Sequence, residues 1–204
     1  MFKKSRLLIL LVGLLFILTN VSCQLIKDTS SRSGQNGATN VKFFYNKPSG
    51  TPTKVRIKII KSQRALELFS GSVMIGRFKI GLGYASTGDK KIQGDGQTPN
   101  GTFFICTRIK SQYKYFLGIS YPNKEDAKRG LKDALISQSE YDKINQSIDA
   151  KVQPPWNTKL GGAIGLHGTD GSADWTAGCI ALSEKGIDAM WAYAKLGTPV
   201  EIVA

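Results

Sequence analysis

The chain is short of the side chains that most often carry metal or acid–base chemistry. Its 204 residues include one histidine, His167, and three cysteines, Cys23, Cys106 and Cys179. No CxxC spacing occurs, and one histidine with scattered cysteines cannot supply ordinary zinc-ligand spacing, so no metal centre is expected. Acids are scarce as well: 15 Asp and Glu stand against 28 Lys and Arg, a formal charge of +13. No internal repeat is evident, and the length suits one domain with appendages.

What is present begins with MFKKSRLLILLVGLLFILTNVSC, which reads as an export signal. Lys3, Lys4 and Arg6 form its charged segment, and an apolar run follows from Leu7 to Leu18. A bilayer-spanning helix needs about 20 apolar residues, so this run is short for a stable anchor and right for a signal. Cys23, directly after the small Ser22, is the expected lipid-modified first residue, although Asn20 stands where Leu is usual. Cleavage to a soluble secreted form and an uncleaved anchor are the alternatives. The expected location is outside the cytoplasm, facing a periplasm or cell wall, or secreted.

The signal holds three of the thirteen net charges (13 − 3), so the part after it carries about +10. A basic surface can face nucleic acid, but an exported protein seldom meets it, and no nucleic-acid partner is expected. The abundant polyanion outside a bacterial membrane is the cell wall. A bland reading, lysines kept for solubility, fits the same charge.

Residues 24–53 are rich in Ser, Gly, Asn and Thr and include Pro48 and Pro52. That composition reads as a flexible tether, with the folded domain spanning 54–204. KVRIKIIK alternates, with Val55, Ile57 and Ile59 on one face, as a half-buried strand does. Further short strands follow in ALELF, SVMIGRFKIGLG, GTFFICTRI and YKYFLGIS. Asn123 is placed to cap a helix through residue 136, and SQSEYDKINQSID reads as a second. A last helix is expected from the N-cap Ser183 to Leu196, stopped by Gly197, before a closing strand PVEIVA. The expected fold is mostly β with peripheral helices, a sandwich or barrel.

The chemistry concentrates in HGTDGSADWTAGCIAL, residues 167–182. His167 ends the strand-like AIGL and Cys179 opens the strand-like CIAL, with eleven residues between them. A thiol with a pKa of about 8.5 is only a few per cent ionised at neutral pH. A neighbouring imidazole can take its proton and leave a thiolate–imidazolium pair. Gly178 allows a tight backbone path on which the Ala177, Gly178 and Cys179 amides converge toward an oxyanion. The Gly168 carbonyl is close enough in sequence to fix the imidazole tautomer. The competing reading is a turn histidine and a buried cysteine, or a redox pair in which Cys179 joins Cys106.

HG…WTAGCIAL resembles the signature of the L,D-transpeptidase (YkuD, or ErfK/YbiS/YcfS/YnhG) family. GDGQTPNGTF is similar to that family's TPxGxF element, YPN followed by DAKRGL also fits, and PPWNTKLGGAIGLHG resembles the lead-in to its histidine. The similarity runs from Lys54 to the C-terminus. It implies a β-rich catalytic fold, a peptidoglycan stem-peptide substrate, a role in cell-wall biogenesis and shape, no metal or organic cofactor, and a monomer. It implies Cys179 as nucleophile, His167 as general base and acid, and Thr176 with the Ala177, Gly178 and Cys179 amides as the oxyanion wall. The acyl-enzyme would pass to a second stem as a transpeptidase, or to water as a carboxypeptidase or amidase. A non-catalytic basic wall-binding lipoprotein is the reading from another class. Ala177 and Ala181 depart from the family, where His and Arg or Asn are frequent, which bears on substrate choice. Thr98, Gly101, Trp156 and Trp175 are further candidates for substrate contact.

Overall fold

The structure is a computed structural model and describes residues 42–204. Cys23, the export signal and most of the expected tether lie outside the described residues.

Nine strands and three helices succeed one another: β1 Phe44–Tyr45, β2 Val55–Ile60, β3 Ala65–Ser70, β4 Val73–Gly81, β5 Gly101–Ser111, β6 Lys114–Ile119, α1 Lys124–Lys132, α2 Gln138–Asp149, β7 Gly165–Gly168, β8 Ile180–Leu182, α3 Glu184–Tyr193 and β9 Pro199–Val203. The strand order is β1-β4-β3-β2-β9-β5-β6-β7-β8, and β4 pairs with β8. That last pairing closes the sheet on itself. Two long strands make the closure possible by changing partners along their length. The first residues of β5 pair with β9 and the rest with β6, while β4 pairs with β3 and, at Ile80 and Gly81, with β8. The mostly β architecture expected from the sequence is what forms.

The alternation in β2 does what period-2 patterning dictates. Ile57 and Ile59 are buried and Arg56 and Lys58 are not. They join Leu66, Leu68, Ile80, Leu82, Ile105, Leu117, Ile119, Leu166, Ile180 and Ile202 in one core, all at most 1% exposed. Each such side chain contributes about 1.5–3 kcal/mol relative to an exposed one. A salt bridge between Glu67 and Arg77 (3.3 Å), which face each other on β3 and β4, adds a polar cross-strand pair.

The helices differ from expectation at their ends. Asn123 and Ser137 each close a capping box, with Asp126 and Glu140 respectively. α1 stops at Lys132 because the chain turns at Ala134, which holds φ 54°. α1 and α2 share a small separate core of Ala127, Ile136, Ile144 and Leu160. α3 stops at Tyr193 rather than Leu196: Gly197 N–H donates to the Ile105 carbonyl (2.8 Å) and Ile105 N–H to the Thr198 carbonyl (2.9 Å), which draw the chain onto β5. Pairing also begins before Lys54. Phe44 and Tyr45, inside the stretch read as tether, add a short strand to β4, where the Tyr45 ring lies 5.5 Å from that of Phe78.

Candidate active site

Three neighbouring strands place the histidine and the cysteine. β7 pairs antiparallel with β6, with Phe116 opposite His167, and parallel with β8, with Leu166 opposite Ile180 and His167 opposite Ala181. One step earlier, Cys179 comes level with Gly165. Side chains alternate along a strand, so continuing the β8 register back by one residue puts Cys179 on the face of His167, with Cα atoms about 8 Å apart from strand spacings alone.

The turn before Cys179 is built from its own side chains. Thr176 Oγ1 accepts from Gly178 N–H (3.1 Å) and donates to the Cys179 carbonyl (2.8 Å). Thr176 N–H donates to the Leu82 carbonyl (3.2 Å), and its carbonyl accepts from Tyr84 N–H (2.8 Å). Gly178 takes φ 131°, and a Cβ there would lie 2.6 Å from the Gln97 carbonyl, so both conformation and space demand glycine. This alters one expectation. The Gly178 amide is occupied by Thr176, so Ala177 and Cys179 supply the amides that the turn's own hydroxyl does not engage. Thr176 braces the turn.

The loop between the two residues is stapled by an ion pair. Arg64, at φ 47°, reaches Asp174 through Nε (2.9 Å) and Nη2 (2.7 Å) and also donates to Ser86 Oγ. Asp174 Oδ1 accepts from Leu82 N–H (2.9 Å). Burial pushes this carboxyl up, but Arg64 and the Leu82 N–H outweigh burial and hold it below the usual range.

Burial works against the charged form of both side chains. Burial pushes the half-buried Cys179 thiol up, and the Gly165 N–H and the Lys90 charge pull it part of the way back. Its Sγ contacts the Ala163 carbonyl at 3.5 Å. Burial moves the His167 imidazole down, with the Gly168 carbonyl, 3.5 Å from Nδ1, working the other way. The Gly168 carbonyl does face the ring, as expected. A Cβ at Gly168 would lie 2.7 Å from the Tyr113 carbonyl.

Other candidates divide. Thr98 is fully buried, its Oγ1 accepting from Gly83 N–H (3.0 Å), and its carbonyl is held by the buried Lys61 (2.7 Å): it is scaffold. Gly101, at φ 131°, begins β5 against Asn123. Trp156 packs on Phe116, Gly118 and Gly162 at the core edge. Trp175 instead lies 5.8 Å from the imidazole and is 44% exposed. Ala177 is exposed, and Ala181 is fully buried between His167 of β7 and Gly81 of β4. Cys106 and Cys179 are both free, which removes the disulfide reading. Sequence reasoning missed Tyr113, whose ring lies 4.8 Å from His167, and the buried Lys90, 2% exposed and bonded to Asp95 (2.8 Å) and the Ile92 carbonyl (3.0 Å). Nothing in the local pattern of either marked it. Among the described residues no three His, Cys, Asp or Glu side chains converge as a metal set.

The domain is a closed β sheet in which β7 carries His167 and Cys179 directly precedes the adjoining β8. The family model described as YkuD, L,D-transpeptidase catalytic domain, matches residues 54–202, and the chain belongs to that family. The helical cell shape determining protein Pgp2 from Campylobacter jejuni is similar at 21% identity and TM-score 0.50, over 78% of this chain and 49% of that one. Bd1075 of Bdellovibrio bacteriovorus shares 18% identity at TM-score 0.47, over 79% and 54%. An L,D-transpeptidase from Mycobacterium smegmatis shares 11% at TM-score 0.45, over 74% and 59%. The chain thus spans roughly half to three fifths of these proteins. No curated protein matches it by sequence.

Proposed function

We propose that the protein is a peptidoglycan L,D-transpeptidase. The observation that carries this reading is the chain's sole histidine on β7 and Cys179 directly before the adjoining parallel β8, inside a domain of that family. Cys179 Sγ attacks the carbonyl between the diamino acid and the terminal D-Ala of a tetrapeptide stem. The thiol proton passes to His167, the developing oxyanion meets the Ala177 and Cys179 amides, and the C–N bond breaks as His167 protonates the leaving D-Ala amine. An amine of a second stem then attacks the thioester, its proton returning through His167 to the thiolate, and a cross-link forms. Lipidation at Cys23 would hold the domain at the membrane's outer face, and a basic surface suits an acidic wall.

Incubation of purified protein with tetrapeptide muropeptides, followed by mass spectrometry, tests the reaction. Cross-linked dimers are expected; tripeptide monomers alone would replace transfer by hydrolysis, and no product with folded protein would favour a wall-binding module. The anchor is tested separately by the mass of the mature N-terminus, where an acylated Cys23 is expected.

A further inference from the structure

His167 is 4% exposed, yet among the described residues its hydrogen-bond partner is the Gly168 carbonyl at 3.5 Å, the long limit for such a bond. Catalytic histidines of the triad type are usually turned by a carboxylate or amide side chain. What touches this imidazole is aromatic. The Tyr113 ring lies at 4.8 Å and 35°, the Trp175 ring at 5.8 Å and 71°, and the two are 6.1 Å apart. Such separations and tilts are those of attractive aromatic pairs.

Both rings sit on braced backbone. Tyr113 is at the tip of the β5–β6 hairpin, where its N–H donates to Ser111 Oγ (3.1 Å) and Lys114 after it takes φ 71°. Its carbonyl accepts from Gly168 N–H (3.0 Å), so the hairpin tip grips the residue that follows the histidine. Trp175 lies between Asp174, pinned by Arg64 and Leu82, and Thr176, pinned by Leu82 and Tyr84. Large aromatics left 39% and 44% exposed are not there for core volume. The titratable neighbours on the packed elements are Cys179 before β8, Asp174 on the loop, and Lys114 and Glu184, which line a depression beside Tyr113 and Gly168. Asp174 is bound to Arg64 and Lys114 to Asp188.

We propose that Tyr113 and Trp175 are positioning residues, a two-ring clamp that fixes the imidazole of His167 toward Cys179 in place of an orienting carboxylate. The consequence for catalysis rests on the transpeptidase reading, but the clamp itself does not. The rings fill the space in which the imidazole would otherwise turn about its Cβ–Cγ bond, and they keep water from its faces. The Tyr113 hydroxyl has no role in the clamp.

Because the chain holds one histidine, its ring carbon Cε1–H gives a single signal in a proton–carbon correlation spectrum. That signal is titrated in the intact protein and in Tyr113→Leu, Trp175→Leu, Tyr113→Phe and Trp175→Phe, alongside kcat and KM on muropeptides. The leucine variants are expected to move the imidazole pKa up toward the ordinary value of about 6.5 as water reaches the ring. They are expected to lower kcat about tenfold with KM little changed, as misorientation of a base does. The phenylalanine variants keep a ring in place and are expected to stay near wild type. An unchanged titration, or a rise in KM with kcat unaltered, overturns the clamp and makes the rings a lip of the substrate cleft. If no muropeptide product forms at all, the titration still decides the clamp while the transpeptidase reading fails separately.

Discussion

Cys106 and Cys179 have the same side chain, both are half-buried, and both are free, yet their surroundings separate them. Cys106 lies within β5, where its thiol donates to the Gly118 carbonyl (3.4 Å) and burial pushes it up to about 11. Cys179 precedes a strand, after a glycine at φ 131°, with a backbone N–H and a lysine charge opposing burial and the sole imidazole on the next strand. The contrast teaches that two cysteines of similar exposure can be set apart by backbone geometry and by neighbours.

The largest expected effect breaks this contrast outright. Cys179→Ala should lower muropeptide turnover by about 10³-fold or more, whereas Cys106→Ala should leave kcat within about twofold. Comparable losses in both variants, measured on folded protein, would undo the distinction. Next comes Gly178→Ala, which forces a Cβ against the Gln97 carbonyl and a residue other than glycine into that backbone region. It should cost about 1–3 kcal/mol in denaturant unfolding and most of the activity. Arg64→Ala, which leaves Asp174 without its guanidinium, should cost about 1–2 kcal/mol and reduce kcat by disordering the loop that carries Trp175.

The pH dependence sharpens the comparison further. Alkylation needs the thiolate, and burial has raised both thiols, so iodoacetamide labelling should climb through pH 9 for each rather than level off near pH 6. Cys179 should lead Cys106 throughout, as resolved by peptide mass spectrometry. Lys90→Met gives the smallest effect: the thiol loses one of the influences pulling it down, so Cys179 labelling at pH 8 should slow a fewfold while Cys106 is unaffected. Equal slowing at both cysteines would assign Lys90 a purely structural role.

Much of the fold was legible because it rests on local rules. The alternation of Val55 to Ile59, the caps at Asn123 and Ser183, and the closing strand 199–203 are all within reach of a short window. The ends of α1 and α3 were not, since Ala134 turns and Gly197 bonds to β5 for reasons outside the window. Phe44 and Tyr45 lie within the stretch whose composition reads as tether, and only their pairing with β4 reveals them as strand. In the candidate site, His167, Gly168 and Cys179 could be singled out from the sequence because a glycine and a lone thiol and imidazole mark themselves. Tyr113 and Lys90 could not, because they meet the site across 54 and 89 residues of chain.

By itself, then, the sequence picked out the candidate pair and the short-range devices around it: a unique histidine, a cysteine after a glycine, and strands and caps whose patterns need no distant partner. Only the tertiary structure decided how that pair is governed. Closure of β4 on β8 sets β7 beside β8, Arg64 holds the loop, Thr176 claims the Gly178 amide, and Tyr113 arrives at the imidazole from the far hairpin. Backbone torsions and periodicities are local properties that a short segment carries. Contacts between remote segments exist only once the chain has closed and the core has packed.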